Sequence, residues 1–274
     1  YESLTVNAGG VPVKVPVDRQ TFDLDLDAIG AAITPRTRAI IINSPNNPTG
    51  RIYPPETLER LAIILTEASH RYGRPIYIIS DEPYRRIVFE GNTFHTPLAF
   101  YPHSLMTYSY GKVLLTPGQR IGYIALPPTM PDRDQLREAF RVVQLSGGLL
   151  FPNALLQHAL ADLDTISIDM ARMQGKRDGM VEALRTIGYE VHAPQGRFYL
   201  LPRSPWPDDR AFTTLLEEHD ILCLPGTVLE FSGFFRISLT ASEEMIERSL
   251  AGFSAAFDRA KSEASPVTIA GANL

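Results

Sequence analysis

The feature that most constrains the fold is an alternation of apolar runs and helical periodicity between residues 38 and 80. The runs RAIIIN (38–43) and PIYIIS (75–80) are almost continuously apolar. Such runs are typical of strands that are covered on both faces of a sheet. Between them, apolar residues recur at helical spacing, namely Leu58, Leu61, Ala62, Leu65 and Ala68. A strand, a helix and a second strand predict a βαβ unit, and therefore a parallel sheet with helices packed on it.

The rest of the chain is predicted to contain further helices and strands, with a domain boundary near residue 165. Before it, strands are predicted at 104–110 and 121–126, and helices at 132–145 and 152–163. After it, a long helix is predicted from about Asp164 to Ile187, with Gly188 as its stop, on an apolar stripe of Ile166, Met170, Met173, Met180, Leu184 and Ile187. There follow strands at YEVHAP, RFYLLP, ILCLP and FFRISL, a helix over 208–219, and a last helix from Ser242 to about Lys261. We predict domains at 1–164 and 165–274, with a disordered tail from residue 262.

Composition indicates which kinds of binding partner and which cell compartment suit this chain. A net charge of −5 and a pI of about 5.7 do not favour nucleic acid or an acidic membrane. No apolar run has the length of a membrane span, and the six histidines lack metal-ligand spacing. The single cysteine, Cys223, excludes an internal disulfide and favours a reducing compartment, so we predict a cytoplasmic protein with a buried thiol. The chain begins at Tyr1 rather than Met, and we expect it to be trimmed or processed there.

Polar residues follow three of the predicted strands. NSPNNPTG (43–50) follows the first, and its Asn, Pro and Gly residues are also what an ordinary turn requires. Asp81 ends the second strand, with Tyr84 three residues later. A helix cap or a solvated charge is the simpler interpretation of Asp81, but a carboxylate after a buried strand needs a donor or a cation. Ligands bind at this edge of a parallel sheet, which favours a site.

The third strand carries the most specific signal. SYGKVLLTPGQR (109–120) places Ser109, Gly111 and Lys112 at a strand end and Arg120 eight residues beyond the lysine. An amine can form a Schiff base, a carboxylate can keep a pyridine nitrogen protonated, and a hydroxyl with a guanidinium can bind phosphate. Together the three strand ends contain what a phosphorylated pyridine aldehyde requires.

The order NNPTG, SDEPY, SYGK, Arg and FFRISL resembles the class I/II aminotransferases of the aspartate aminotransferase superfamily, which are fold type I enzymes dependent on pyridoxal 5′-phosphate (PLP). The resemblance runs from about residue 10 to residue 260. It implies a three-layer α/β/α large domain with a mainly parallel sheet, and a smaller α+β domain at the C-terminus. It also implies a homodimer whose substrates are small molecules, an amino acid and a 2-oxo acid.

The resemblance assigns roles position by position. Lys112 matches the lysine that forms the Schiff base with PLP, and Asp81 matches the partner of the pyridine nitrogen. Tyr84 and Asn47 match residues that bind the ring hydroxyl, and Ser109 and Arg120 match phosphate ligands. Arg236 matches the arginine that holds the substrate α-carboxylate, with a surface charge as the alternative, and Asn47 contributes to the same substrate site. A cis bond is expected at Asn47–Pro48.

The sequence also departs from the family pattern. Gly111 replaces a second serine before the lysine. Arg197 stands where relatives more often carry a small residue, and we expect a surface charge there, with contact to the substrate as the alternative. An N-terminal part of the large domain, with a helix terminus that binds phosphate and an aromatic that stacks on the ring, is not recognisable.

These residues predict an aminotransferase that moves an amino group between an L-amino acid and a 2-oxo acid through Lys112. Two alternatives remain open on the sequence. The same residues would serve a PLP-dependent lyase or synthase, and the chain could be a weakly active fragment or a non-enzymatic module with the same fold. The amino donor is not predicted.

Overall fold

A computed structural model describes residues 1–149 and 151–263 of the chain. The chain packs as two compact units. Unit 1 comprises Tyr1–Ser44, Arg51–Pro83 and Thr93–Thr165, and unit 2 comprises Pro45–Gly50, Tyr84–Asn92 and the described chain from Ile166 onward. The domain boundaries given above stay a prediction.

Unit 1 contains a four-stranded sheet in the order β1-β2-β3-β4, formed by Ala39–Asn43, Tyr77–Asp81, Ser104–Ser109 and Gly122–Ala125. The first three strands are parallel, and β4 runs antiparallel to β3. The predicted α/β class with a mainly parallel sheet is confirmed. The expectation that β1 is covered on both faces is wrong, because Ala39 and Ile41, which share one face of the strand, are exposed.

The helices of unit 1 are α1 to α6, formed by Glu2–Asn7, Leu26–Ala32, Pro55–Tyr72, Tyr110–Val113, Arg133–Ser146 and Ala154–Leu163. In α3, proline lies at the N-terminus and Gly73 ends the helix with φ of 66°. The apolar stripe predicted for this helix is buried throughout. It packs with Ile42 and Ile78 of the sheet, so the βαβ unit forms as the sequence predicts.

Unit 2 contains helices α7 (Met170–Ile187), α8 (Asp209–Glu217) and α9 (Glu243–Ser262), and strands β5 (Tyr199–Leu200), β6 (Leu224–Pro225) and β7 (Phe235–Ser238). The strands form an antiparallel sheet in the order β5-β7-β6. Cys223 packs against the core of this unit, and burial raises the pKa of its thiol to about 12.

Two predictions for unit 2 are wrong. Helix α7 begins at Met170 rather than near Asp164, because the Asp169 side chain accepts the Arg172 N–H and caps the helix there. Ile166, predicted on its buried stripe, is exposed. The segment YEVHAP forms no strand in the described chain.

The predicted disordered tail falls mostly on residues 264–274, which lie outside the described residues. Within the described ranges, none of the helices combines the length and the apolar character needed to cross a membrane.

Candidate functional site

Asp81 lies at the carboxyl end of β2, in register with Asn43 on β1 and Thr107 on β3. All three side chains therefore extend from the same face of the sheet. Thr107 Oγ1 donates to Asp81 Oδ1 at 3.0 Å, and Asn43 Nδ2 lies 3.5 Å from Oδ2. The Tyr1 hydroxyl also donates to Oδ2. Asp81 is thus a partly buried carboxylate held by side-chain donors, as an acceptor for a protonated ring nitrogen would have to be.

Ser109 and Lys112 lie where β3 passes directly into the short helix α4. Ser109 caps this helix, and its Oγ accepts the Gly111 N–H at 3.3 Å. The hydroxyl hydrogen of Ser109 is then available to an anion. Lys112 is half-buried on α4, three residues after the strand end. A Cβ at Gly111 would lie 3.3 Å from Pro117 Cα, so the residue before Lys112 has little room for the serine of the family pattern.

Arg120 is brought to the same sheet edge by the pairing of β3 with β4. Ser109 is in register with Gly122, and Tyr110 N–H donates to the Ile121 carbonyl at 3.1 Å. A Cβ at Gly122 would lie 2.3 Å from the Tyr108 carbonyl oxygen, so only glycine permits this close approach. Arg120 itself is exposed and in the left-handed conformation, with φ of 52°. A hydroxyl, an amine and a guanidinium therefore lie along one edge, which fits a phosphate-bearing ligand.

The remaining predicted residues lie in unit 2. Asn47 is exposed in the loop 45–50, and its peptide bond to Pro48 is cis, as predicted. Its Oδ1 accepts from Arg236 Nη1 at 3.2 Å. Tyr84 is buried and packs edge-on against Phe198, with ring centroids 5.7 Å apart.

Arg236 on β7 is half-buried, and its guanidinium carbon lies 4.1 Å from the centroid of the Tyr199 ring. It makes no ion pair with a described residue. Its guanidinium is partly exposed, has an amide neighbour and contacts no carboxylate of the described residues, which suits a ligand carboxylate better than a structural ion pair.

Arg197 is not the surface charge we expected. Its side chain is 0 % exposed. Nη1 donates to the Asn46 carbonyl at 2.9 Å, and the guanidinium carbon lies 4.1 Å from the Tyr199 ring centroid. Burial lowers the pKa of Arg197 to about 9, and the nearby Arg236 acts in the same direction.

Sequence reasoning missed the donors around Asp81. Thr107 lies two residues before Ser109 on one strand, and Asn43 is the last residue of another. Side chains two apart on a strand share a face, so strand parity places Thr107 on the same face as Ser109. The register of β3 with β2 then places it beside Asp81. No comparable signal points to Tyr1.

Tyr110, two residues before Lys112 in helix α4, has an unusual environment. Its hydroxyl donates to Asp164 Oδ1 at 3.3 Å. Burial, with the charge of Asp164 as a smaller contribution, raises the pKa of Tyr110 to about 12. Tyr110 therefore stays neutral at ordinary pH and acts as a hydrogen-bond donor that fixes α4. Across residues 1–149 and 151–263, no cluster of His, Cys, Asp and Glu could hold a metal ion.

Residues 1–253 match the family model for aminotransferases of class I and II. The chain belongs to this family. Among curated relatives, it is 32% identical to the aspartate/prephenate aminotransferase of Thermus thermophilus, over 95% of this chain and 67% of the relative. It is 30% identical to the aspartate aminotransferase of Rhizobium meliloti, over 94% of this chain and 66% of the relative.

The solved structures similar to this chain are also aminotransferases. An aminotransferase from Eubacterium rectale superposes with a TM-score of 0.90 at 35% identity, over 94% of this chain and 65% of that one. The Thermus thermophilus aspartate aminotransferase with maleate gives 0.78 at 30% identity, over 93% of this chain and 66% of that one. The fold is therefore that of the PLP-dependent enzymes of fold type I, and the chain spans about two thirds of the length of these relatives.

Proposed function

We propose that the protein is a PLP-dependent aminotransferase that moves an amino group between an L-amino acid and a 2-oxo acid. The observation that carries the proposal is the polar edge of the unit 1 sheet. Asp81 and Ser109 end neighbouring strands there, Lys112 follows Ser109 on α4, and Arg120 lies just before β4. Its donors and acceptors match the aldehyde, ring nitrogen and phosphate of PLP. Membership of the aminotransferase family and the names of the relatives support the same activity.

Each residue has a proposed task in holding the cofactor. Lys112 Nζ binds the aldehyde carbon, and Asp81 accepts from the ring nitrogen. Ser109 and Arg120 bind the phosphate with charge-assisted hydrogen bonds. Tyr84 and Asn47 donate to the ring hydroxyl. When bound, PLP supplies an electron sink for the pair left behind when the substrate loses its α-proton.

The chain's own residues move the proton and orient the substrate. Lys112 Nζ would take the α-proton of the substrate and return it. The Asp81 carboxylate would hold the ring nitrogen of PLP in its protonated form. Arg236 binds the α-carboxylate as a two-pronged donor, with Asn47 beside it.

The amino donor is best sought among dicarboxylic amino acids. The two curated relatives described above are named for aspartate, one of them also for prephenate, and one solved relative is named with maleate. These names set the order of a substrate panel and do not assign the donor of this chain.

Two further properties belong to the proposal. We propose a homodimer, because large apolar side chains are exposed on unit 1 between residues 142 and 155. We also propose a cytoplasmic location, which rests on the single, unpaired Cys223.

The direct test is reduction of the protein with borohydride in the presence of PLP, followed by peptide mapping. The pyridoxyl group is expected on Lys112, and Lys112→Ala should remove the label. Lys14, Lys176 and Lys261 are the internal controls. Lys14 is ion-paired with Glu2, and Lys176 donates to the Ala241 carbonyl. A label on any of these instead of Lys112 would refute the assignment.

A panel of amino acids then tests the reaction. Formation of pyridoxamine phosphate and a 2-oxo acid supports transfer. Release of ammonia with pyruvate would instead establish the lyase alternative.

A further inference from the structure

Arg197 is a buried cation whose hydrogen-bonding capacity is mostly unused. A guanidinium has five N–H donors and stays charged in proteins. Of these, Nη1 binds the Asn46 carbonyl, while Nε and Nη2 have no hydrogen-bond partner in the described chain. A charge kept from water with so few partners is costly, which makes a packing role alone a poor explanation.

The surroundings of Arg197 are aromatic and cationic. Its guanidinium carbon lies 4.1 Å from the Tyr199 ring centroid and 5.4 Å from that of Tyr84. The Arg236 guanidinium also lies 4.1 Å from the Tyr199 ring centroid, so the two cations are no further apart than twice that distance. Within residues 1–149 and 151–263, neither arginine is ion-paired. The two cations therefore repel each other until an anion binds.

Arg197 also contacts the elements that carry three proposed site residues. It binds the carbonyl of Asn46, which precedes Asn47 in the loop 45–50. It packs near the Tyr84 ring, and it shares Tyr199 with Arg236. Because its side chain is fully covered, it acts through these neighbours rather than by touching a ligand.

We propose that Arg197 is a positioning residue that raises the affinity of Arg236 for the substrate carboxylate. Its bond to Asn46 orients the loop that carries Asn47. Its positive charge repels that of Arg236, and a bound carboxylate reduces this repulsion. The inference rests on the proposed function, since it assumes that Arg236 holds the substrate.

The test separates the charge of Arg197 from its hydrogen bond. Arg197→Lys keeps the positive charge, whereas Arg197→Gln keeps a donor for the Asn46 carbonyl and loses the charge. Maleate binding to the PLP-loaded protein is measured by isothermal titration calorimetry. We expect Arg197→Gln to weaken maleate binding about tenfold. This is the scale of the effect of a unit charge acting over the separation of the Arg197 and Arg236 guanidinium groups. Arg197→Lys should weaken maleate binding less than Arg197→Gln does, because it keeps a positive charge near Arg236.

The matched control is Arg203. It also lies over an aromatic ring in unit 2, 4.9 Å from the Phe234 centroid, but it is half-exposed and ion-paired with Glu190 at 2.8 Å. Arg203→Gln should leave maleate affinity unchanged. If Arg197→Gln does not fold, Arg197→Met provides the neutral variant.

Two outcomes would overturn the inference. Equal maleate affinity in the Lys and Gln variants would mean that Arg197 acts through its hydrogen bond and packing and not through its charge. Wild-type maleate affinity in the neutral variant would mean that Arg197 has no effect on ligand binding. Borohydride labelling of Lys112 is repeated on each sample. Loss of that label would count against the proposed function, whereas a retained label with unchanged maleate affinity would count against Arg197 alone.

Discussion

Asp81 ends a parallel strand with its carboxylate held by donors from both neighbouring strands. Its proposed role is electrostatic, and single deletions of such groups lower kcat on the order of 10²–10³-fold. Asp81→Ala should therefore retain some PLP, through Lys112 and the phosphate ligands, and lose most turnover. Absorbance titration with PLP and steady-state rates measure the two effects separately.

Asp27 provides the control for that substitution. It is an exposed carboxylate in the first turn of α2 and contacts none of the proposed ligands. Asp27→Ala should leave kcat unchanged. Near-normal turnover in Asp81→Ala would contradict the proposed role of that carboxylate.

Individual residues differed in how far the sequence could predict them. Asp81, Ser109 and Lys112 follow strands directly, so their common edge follows from the βαβ pattern, and their roles were read from the resemblance. The burial of Arg197 could not be predicted, because arginine is almost never fully buried. Only the three-dimensional packing of Tyr84 and Tyr199 around it shows that this arginine is an exception.

The loop 45–50 is fixed to the segment before β5 through Gly50. The Gly50 carbonyl accepts from Gln195 N–H at 3.1 Å and from Gly196 N–H at 3.2 Å. Gly50 has φ of 75°, and a Cβ there would lie 2.3 Å from Pro194 Cβ. Gly50→Ala should lower the free energy of unfolding by roughly 1–3 kcal/mol for overpacking, in addition to the left-handed strain. Denaturation followed by fluorescence of Trp206, which is buried in unit 2, measures it.

A second glycine of unit 2, Gly233, distinguishes the cost of left-handed backbone strain from the cost of overpacking. It has φ of 81°, and a Cβ there would meet no atom within 4 Å. Gly233→Ala should therefore cost less than Gly50→Ala. Equal costs would mean that the contact with Pro194 is relieved by movement of the loop.

Element types were predicted better than element ends. The stripe of α7 was correct at Met173, Met180 and Leu184, but the start was wrong because the cap at Asp169 carries no periodic signal. YEVHAP failed as a strand because its backbone is satisfied elsewhere. Arg185 donates twice to the Val191 carbonyl, and Arg203 N–H donates to the Glu190 carbonyl. The local sequence pattern does not reveal such partners, one of which is a side chain and the other a distant backbone group.

At the scale of the whole chain, fold class and family could be predicted while surface exposure could not. The alternation of strands and helices in the first half fixes a mainly parallel sheet, which the structure confirms. Helix α5 shows the limit. Its periodicity predicts a helix correctly, yet none of its residues is buried in the described chain. Amphipathic periodicity predicts an apolar face but does not state what covers it.

The apolar side chains exposed between residues 142 and 155 lead to the last prediction. Val143, Leu149, Phe151 and Leu155 are 66%, 76%, 79% and 77% exposed. Such concentrations of apolar surface are typical of association sites. The protein should therefore self-associate, and Val143→Glu with Leu155→Glu should shift it towards the monomer, since a buried unpaired carboxylate disfavours the interface. Sedimentation velocity over a range of concentrations measures the shift.

Ile63, which is 57% exposed on α3, is the control, and Ile63→Glu should leave association unchanged. A wild-type protein that stays monomeric at every concentration would contradict both this prediction and the proposed homodimer.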